Sequence, residues 1–409
     1  MTLFGLIWLI LLIYCFSDVK KILTLTIISA TIQCSNVFEF AGTGIGPQVI
    51  TSLAFIVRMM FTKDGLIIHK KSKGKDICLL MLLLLAVIVI SNIINGMVIS
   101  SLLKVLQLAI YMVCFFYMLK VGQNIDNEYL YKLIRRLSIF LLIVGFIQFG
   151  ITSGVLPRLG IVKTLLYNDT TNEFIYYNQL NYKRVLSTFM EPSYYAGYII
   201  GAFYYLLSIK EKRKENYILL AFMLLQIILT FSSSAYGAFL IVGIIFIASP
   251  RETKFKLRII LLGLAGFFLM YLFFYDILDT VIFSKGLSES ANTRYWWNRD
   301  ALTMYKISPI IGNGYKSSRA SQIIYTMLAE FGVVGLISYC ALNIRFFLYY
   351  VSKTYRSKFG ESRIPVLVGI LSVIATQIIG VPDIDICTYW MWANIVALGM
   401  TCYIKGESV

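Results

Sequence analysis

The run Tyr217 to Ser249, YILLAFMLLQIILTFSSSAYGAFLIVGIIFIAS, is apolar throughout except for Gln226 and the serine cluster Ser232-Ser233-Ser234. As one helix it would be ~50 Å long at ~1.5 Å per residue, against a hydrocarbon core of about 30 Å. It therefore reads as two membrane-crossing helices that turn at the serines. The same reading extends over the whole chain of 409 residues, which is 58% hydrophobic, 14% charged and has a mean hydropathy of +0.77. A soluble chain of this size carries about 25% charged residues. Long apolar runs, in place of short alternating segments, exclude a β-barrel. The fold expected is an all-α polytopic integral membrane protein.

Helices long enough to cross are expected at Leu3–Phe16, Ile22–Phe38, Gln48–Thr62, Ile77–Ile94, Ser100–Leu119, Leu133–Ser153 and Thr188–Ile209, followed by the hairpin Tyr217–Phe231 and Ala235–Ser249. Four more follow at Leu257–Tyr275, Gln322–Tyr350, Pro365–Val381 and Thr388–Ile404, making about 13. Met1 to Phe16 lacks a basic leader and a small-residue cleavage site, so it reads as a first span, not a removable signal. No internal repeat of the kind that builds many transporters is visible.

Charge fixes the expected orientation, because Lys and Arg gather on cytoplasmic connections. The basic clusters at Lys20-Lys21, Lys63 to Lys75, Lys120 to Arg136, Lys210 to Lys214, Arg251 to Arg258 and Lys353 to Arg363 fall on every second connection. That side collects 26 Lys/Arg against 10 Asp/Glu, and the outward side 11 against 11. The net charge of +16 is thus membrane topology, and no nucleic-acid partner is implied. The seven cysteines (Cys15, Cys34, Cys78, Cys114, Cys340, Cys387, Cys402) lie mostly in apolar runs without metal-like spacing and read as small hydrophobes.

Two outward connections are long, at 154–187 and 276–321, and long connections with aromatics and charges are where function concentrates. The first leads into RVLSTFMEPSYYAG, Arg184 to Gly197, where Arg184 and Glu191 flank the mouth of a span. Charged groups at such a place cost free energy to keep, which makes a functional role the default. The second holds Asn292-Thr293-Arg294, Trp297, Ala301-Leu302, Pro309 and Gly312-Asn313-Gly314, and Ala329-Glu330-Phe331-Gly332 follows in the next span.

In this order the two stretches resemble the O-antigen polymerase (Wzy) and O-antigen ligase superfamily of bacterial polysaccharide enzymes. The likeness covers roughly Arg184 to Gly335, with Ser232–Ser234 in the place of a small-residue turn; the flanking spans match only in hydropathy. It implies a membrane glycosyltransferase that joins oligosaccharide repeats carried on undecaprenyl diphosphate at the outer face of the bacterial inner membrane, in lipopolysaccharide or related polysaccharide biosynthesis. A chain-length regulator is a partner the resemblance implies, and no cofactor is. The O-antigen ligases carry an outward histidine in the second loop. The one histidine here is His69, in a basic inward connection, which favours polymerase over ligase. A flippase of the lipid-linked unit is the reading from another class; it calls for polar groups through the midplane of many helices.

Cleaving a glycosyl diphosphate leaves charge on phosphate oxygens, which arginine binds bidentately while staying ionised. Arg184 and Arg294 are the expected catalytic cations, with Arg299, Lys316 and Arg319 as further phosphate contacts or as interfacial residues meeting lipid head groups. Glu191 is either the base for the incoming sugar hydroxyl or the structural partner of Arg184. Tyr194, Tyr195 and Tyr315 are expected to shape the sugar site. Tyr176-Tyr177, Tyr182 and Tyr295-Trp296-Trp297 suit either sugar stacking or the membrane interface. Glu330, inside an apolar span, reads as a substrate contact or as half of an interhelical ion pair. Asp383-Ile384-Asp385 is a D-x-D at an outward turn, a spacing that could hold a divalent metal with a diphosphate; a lone D-x-D is a weak signal, and no metal site is assigned to it. Arg58 and Arg345 lie near inward ends, where snorkelling explains them.

Overall fold

The computed structural model describes residues 2–40, 43–62, 74–96, 98–157, 160–168, 184–209, 213–248, 289–352 and 365–402, with isolated positions between 249 and 288. Among these there are 14 α-helices. In chain order they are α1 Leu3–Phe16, α2 Val19–Ser29, α3 Pro47–Met60, α4 Lys75–Ile94, α5 Ile99–Val121, α6 Asn127–Thr152 and α7 Gly160–Leu166. The rest are α8 Pro192–Ser208, α9 Arg213–Leu229, α10 Ser233–Ala248, α11 Glu289–Ile307, α12 Ile323–Val351, α13 Leu367–Gly380 and α14 Cys387–Thr401. A short antiparallel hairpin, β1 Phe38–Phe40 and β2 Thr43–Ile45, pairs Phe38 with Ile45 and Glu39 with Gly44.

Helix ends follow local chemistry. The Asp18 carboxylate accepts from the Lys20 and Lys21 N–H groups at 2.7 and 3.1 Å and starts α2, and Asp126 accepts from the Tyr129 N–H at 2.7 Å and starts α6. Prolines at the first turns of α3 and α8 fix φ where no intrahelical N–H is needed. The apolar run is interrupted at residues 230–232, between α9 and α10, next to the serine cluster.

Four described helices (α4, α5 with its following turn, α6 and α12) are long and apolar enough to cross a membrane, and α1, α3, α10 and α13 are shorter apolar helices. The outer faces are as apolar as the core: on α4, Leu79, Leu82 and Ile93 are 68%, 61% and 63% exposed. In water such a belt forfeits about 25 cal/mol per Å² of apolar surface; against lipid tails it forfeits nothing. The chain is a membrane-embedded, all-α protein.

At the centre, α8, α13 and α14 are buried over almost their whole length. Small residues allow this: a Cβ on Gly201 would sit 2.6 Å from the Gly369 Cα, and one on Gly369 would enter the Trp392 ring. Close backbone approach of this kind is how membrane helices gain dispersion contact without a hydrophobic drive. The Ser372 hydroxyl, donating to the Gly197 carbonyl at 2.6 Å, fixes the register of α13 on α8.

Three expectations change. The second span stops at Ser29 rather than Phe38, because the Gln33 and Ser35 side chains bond to backbone carbonyls and the Asn36 N–H donates to the Asn168 side chain, leading the chain out of the helix and into the hairpin. Neither long connection is all loop, since α7 occupies Gly160–Leu166 in the first and α11 Glu289–Ile307 in the second. The span after it is broken at Gly332, with φ 65° and ψ −166°. The expected span Leu257–Tyr275, apart from isolated positions, lies outside the described residues, as do His69, Tyr176, Tyr177 and Tyr182.

Candidate functional site

The helix break in α12 frees backbone groups that nothing in a bilayer could satisfy, so the segment 308–314 satisfies them. The Val333 N–H donates to the Pro309 carbonyl at 2.9 Å, and the Asn313 and Gly314 N–H groups donate to the Ala329 and Glu330 carbonyls at 3.0 and 2.9 Å. The contact leaves no room for side chains. A Cβ on Gly312, at φ 80°, would lie 2.3 Å from the Glu330 carbonyl carbon, and one on Gly332 2.3 Å from the Ile310 oxygen. The two glycine motifs of this region are therefore halves of one joint. From α4, the Ser91 hydroxyl donates to the Glu330 carbonyl at 2.9 Å and the Asn95 amide to the Gly312 carbonyl at 3.0 Å.

That joint belongs to one end of the bundle, where connections distant in sequence meet. The Gln33 N–H donates to the Thr188 carbonyl at 2.9 Å, and the Arg184 Nε donates to the Thr230 carbonyl at 2.8 Å. The Gln322 amide donates to the Ile379 carbonyl at 3.3 Å, and the Ser101 hydroxyl to the Tyr315 carbonyl at 3.2 Å.

Arg184 is half-buried, and its guanidinium feels both Glu191 and Arg294. Burial pulls it down to about 10, with Glu191 opposing and Arg294 reinforcing the fall. It stays charged at neutral pH. Arg294 reaches there from α11: a Cβ on Gly380, the last residue of α13, would lie 3.4 Å from its Nη1. The carbonyl end of a helix is a favourable place for a cation. Glu191 caps α8 from an exposed position and accepts from the Ser193 hydroxyl at 3.2 Å.

The connection 381–386 brings two more carboxylates. Asp385 is 9% exposed and accepts from the Lys104 Nζ at 2.9 Å and from the Tyr315 hydroxyl. Burial opposes its ionisation, yet Lys104 and Lys316 outweigh that and hold it below the usual carboxylate range. Asp383 accepts at Oδ2 from the Tyr194 hydroxyl. Burial and the neighbouring Asp385 push it up, and Glu191 adds to the push. Burial also drives the Tyr315 hydroxyl well up, helped by both aspartates and Glu330. Glu330 is 4% exposed, and its carboxylate accepts from the Lys316 backbone N–H.

The structure thus brings Arg184, Arg294, Glu191, Tyr194, Tyr315, Lys316 and Glu330 to one end, around Asp383 and Asp385. Tyr195 is elsewhere: fully buried, it donates to Gln226 in the core. Arg299 and Arg319 are exposed, and their guanidinium carbons lie 5.0 and 3.9 Å from the Trp296 and Trp297 ring centres. Sequence reasoning passed over Lys104, although a lone lysine in an apolar helix is itself a signal. It weighed the aspartates only as a metal pair, whereas each is engaged by side chains of this protein. Chemically, the arrangement sets two arginines and two lysines beside four carboxylates, a surface able to hold an anion on one side and a hydroxyl on the other. Compared with models of known protein families and with curated proteins, the chain matches none.

Proposed function

We propose that this chain is a polysaccharide polymerase, a glycosyltransferase that extends glycans carried on undecaprenyl diphosphate. The observation that carries the reading is the meeting of Arg184 and Arg294, 110 residues apart in sequence, with Glu191 at one end of the helix bundle. Like-charged guanidiniums are not brought together in a partly buried place without cost, and an anionic ligand repays it. A lipid diphosphate fits, because its head would lie at the membrane surface and its tail along the apolar belt. On this reading the chain crosses about 13 times, and the site faces the outside of the bacterial inner membrane.

The growing glycan is the donor. Arg184 and Arg294 bind its diphosphate and stabilise the charge that develops as the glycosidic carbon–oxygen bond breaks. The non-reducing end of an incoming lipid-linked repeat supplies the attacking hydroxyl, which the carboxylate side of the site receives. The tyrosines Tyr194 and Tyr315 border the sugar, and the polymer then passes to whatever anchor the cell uses.

Deletion tests the assignment. A cell without this protein accumulates single-repeat lipid-linked glycan on the outer leaflet. Long glycan persisting on undecaprenyl diphosphate would indicate a ligase, and repeats stranded on the inner leaflet a flippase.

A further inference from the structure

Four carboxylates stand at the site, and their surroundings sort them. Asp385 is neutralised by Lys104 at 2.9 Å and by Tyr315. Glu330 is 4% exposed and tied by the Lys316 N–H to the α12 break. Glu191 stands as counter-charge to Arg184 and accepts from Ser193 at 3.2 Å. Asp383 differs in its setting. Like Glu191 it accepts from no Lys or Arg among the described residues, but it is less exposed than Glu191, lies beside Asp385 instead of an arginine, and has the Tyr194 hydroxyl, which takes Oδ2, as its single side-chain donor. Its carbonyl accepts from the Gln377 amide at 2.8 Å, which fixes the turn, and the residue is partly buried. Oδ1 accepts no hydrogen bond among the described residues.

We propose that Asp383 is the catalytic base that takes the acceptor hydroxyl's proton, and that Tyr194 is the positioning residue that aims it. The proposal rests on the glycosyl-transfer reading above. In the step, the acceptor oxygen forms a bond to the anomeric carbon of the donor sugar. The bond from that carbon to the phosphate oxygen breaks, and its electron pair leaves with the diphosphate held by Arg184 and Arg294. The proton passes to Asp383 Oδ1 and then to water. The charged and titratable groups facing Asp383 are Glu191 and Tyr194 from α8, Asp385 beside it, Tyr315 and Lys316 from the 308–322 segment, Glu330 from α12 and Lys104 from α5. Burial next to Asp385 pushes the Asp383 carboxyl up, which strengthens it as a base.

The test uses the full chain in lipid nanodiscs, with lipid-linked repeat extracted from cells lacking this protein and farnesyl diphosphate as a competitor for the donor site. Asp383→Asn is expected to lower polymer formation at least ~100-fold, the lower end for a lost general base. Competitive binding of farnesyl diphosphate should stay within about twofold of wild type, since the arginines are untouched. Tyr194→Phe is expected to move the acid limb of the pH–rate profile to higher pH, because the phenol's hydrogen bond holds the carboxyl down. A merely structural tyrosine would not move the limb, and should Asp383→Asn fail to fold, this shift alone decides. Polymer formation by Asp383→Asn within about fivefold of wild type, or an unmoved limb in Tyr194→Phe, overturns the proposal and leaves the polymerase reading standing. A wild-type protein that forms no polymer from the repeat overturns both.

Discussion

Replacing Lys104 with methionine tests whether the charged end of the bundle is organised as described. The Lys104–Asp385 pair is 2.9 Å long, with side chains 26% and 10% exposed. Removing one member of a buried pair costs about 3–5 kcal/mol, because the other charge is left without its partner. Lys104 keeps a quarter of its surface, so the lower figure of about 3 kcal/mol applies, roughly a 150-fold fall in the folding constant. Lys104→Met/Asp385→Asn leaves no orphan charge, and the amide still accepts from Tyr315. The double variant is therefore expected to recover about 2 kcal/mol of the loss, a non-additivity typical of contacting groups. The assay is reversible unfolding in mixed micelles, followed by the fluorescence of the buried Trp390 and Trp392. A single variant within about 0.5 kcal/mol of wild type, or a double variant equal to the sum of the singles, would refute the reasoning.

Other outcomes follow from the same geometry. Asp385 is held below its ordinary value, so its contribution is complete above the unfolded pKa of about 3.9 and lost as pH falls through the folded value. The thermal-midpoint gap between wild type and Lys104→Met should accordingly narrow as pH drops below about 4; a gap constant with pH would count against the assignment. Gly332→Ala should destabilise by more than the ~1–3 kcal/mol of a side chain held in this glycine-only backbone region, because its Cβ also meets backbone 2.3 Å away. Unfolding in micelles measures it, and a neutral effect would mean the joint does not exist. Arg184→Lys and Arg294→Lys keep the charge but lose the bidentate fork, and each should shorten or abolish polymer on a gel while the folded protein persists. Normal polymer from both would remove the arginines from the mechanism.

Much of the fold was legible because a bilayer imposes one strong rule, that spans are long and apolar. The turn beside Ser232–Ser234 and the α10 helix it starts needed nothing else. α11 escaped because its buried face is narrow, with Ala301 as its one fully buried residue, and the rest reads as a charged connection. The break at Gly332 was equally hidden, since a glycine in an apolar run is ordinary until the Ile310 carbonyl is known to press on it. In the site, Arg184 and Glu191 could be seen because both lie at one span mouth. Asp385 could not be read correctly, since its partner Lys104 is 281 residues away and only the fold joins them. Tyr194 and Tyr195 are adjacent and chemically alike. The helical turn sends one to Asp383 and the other to Gln226, a distinction of phase that composition does not carry.

The central claim is tested most directly by giving the purified protein, in liposomes, nothing but lipid-linked repeat and sizing the glycan that forms. Polymerisation predicts a ladder spaced by one repeat, with one undecaprenyl diphosphate released for each linkage made. Repeat that stays single, with no diphosphate lipid released, would contradict it.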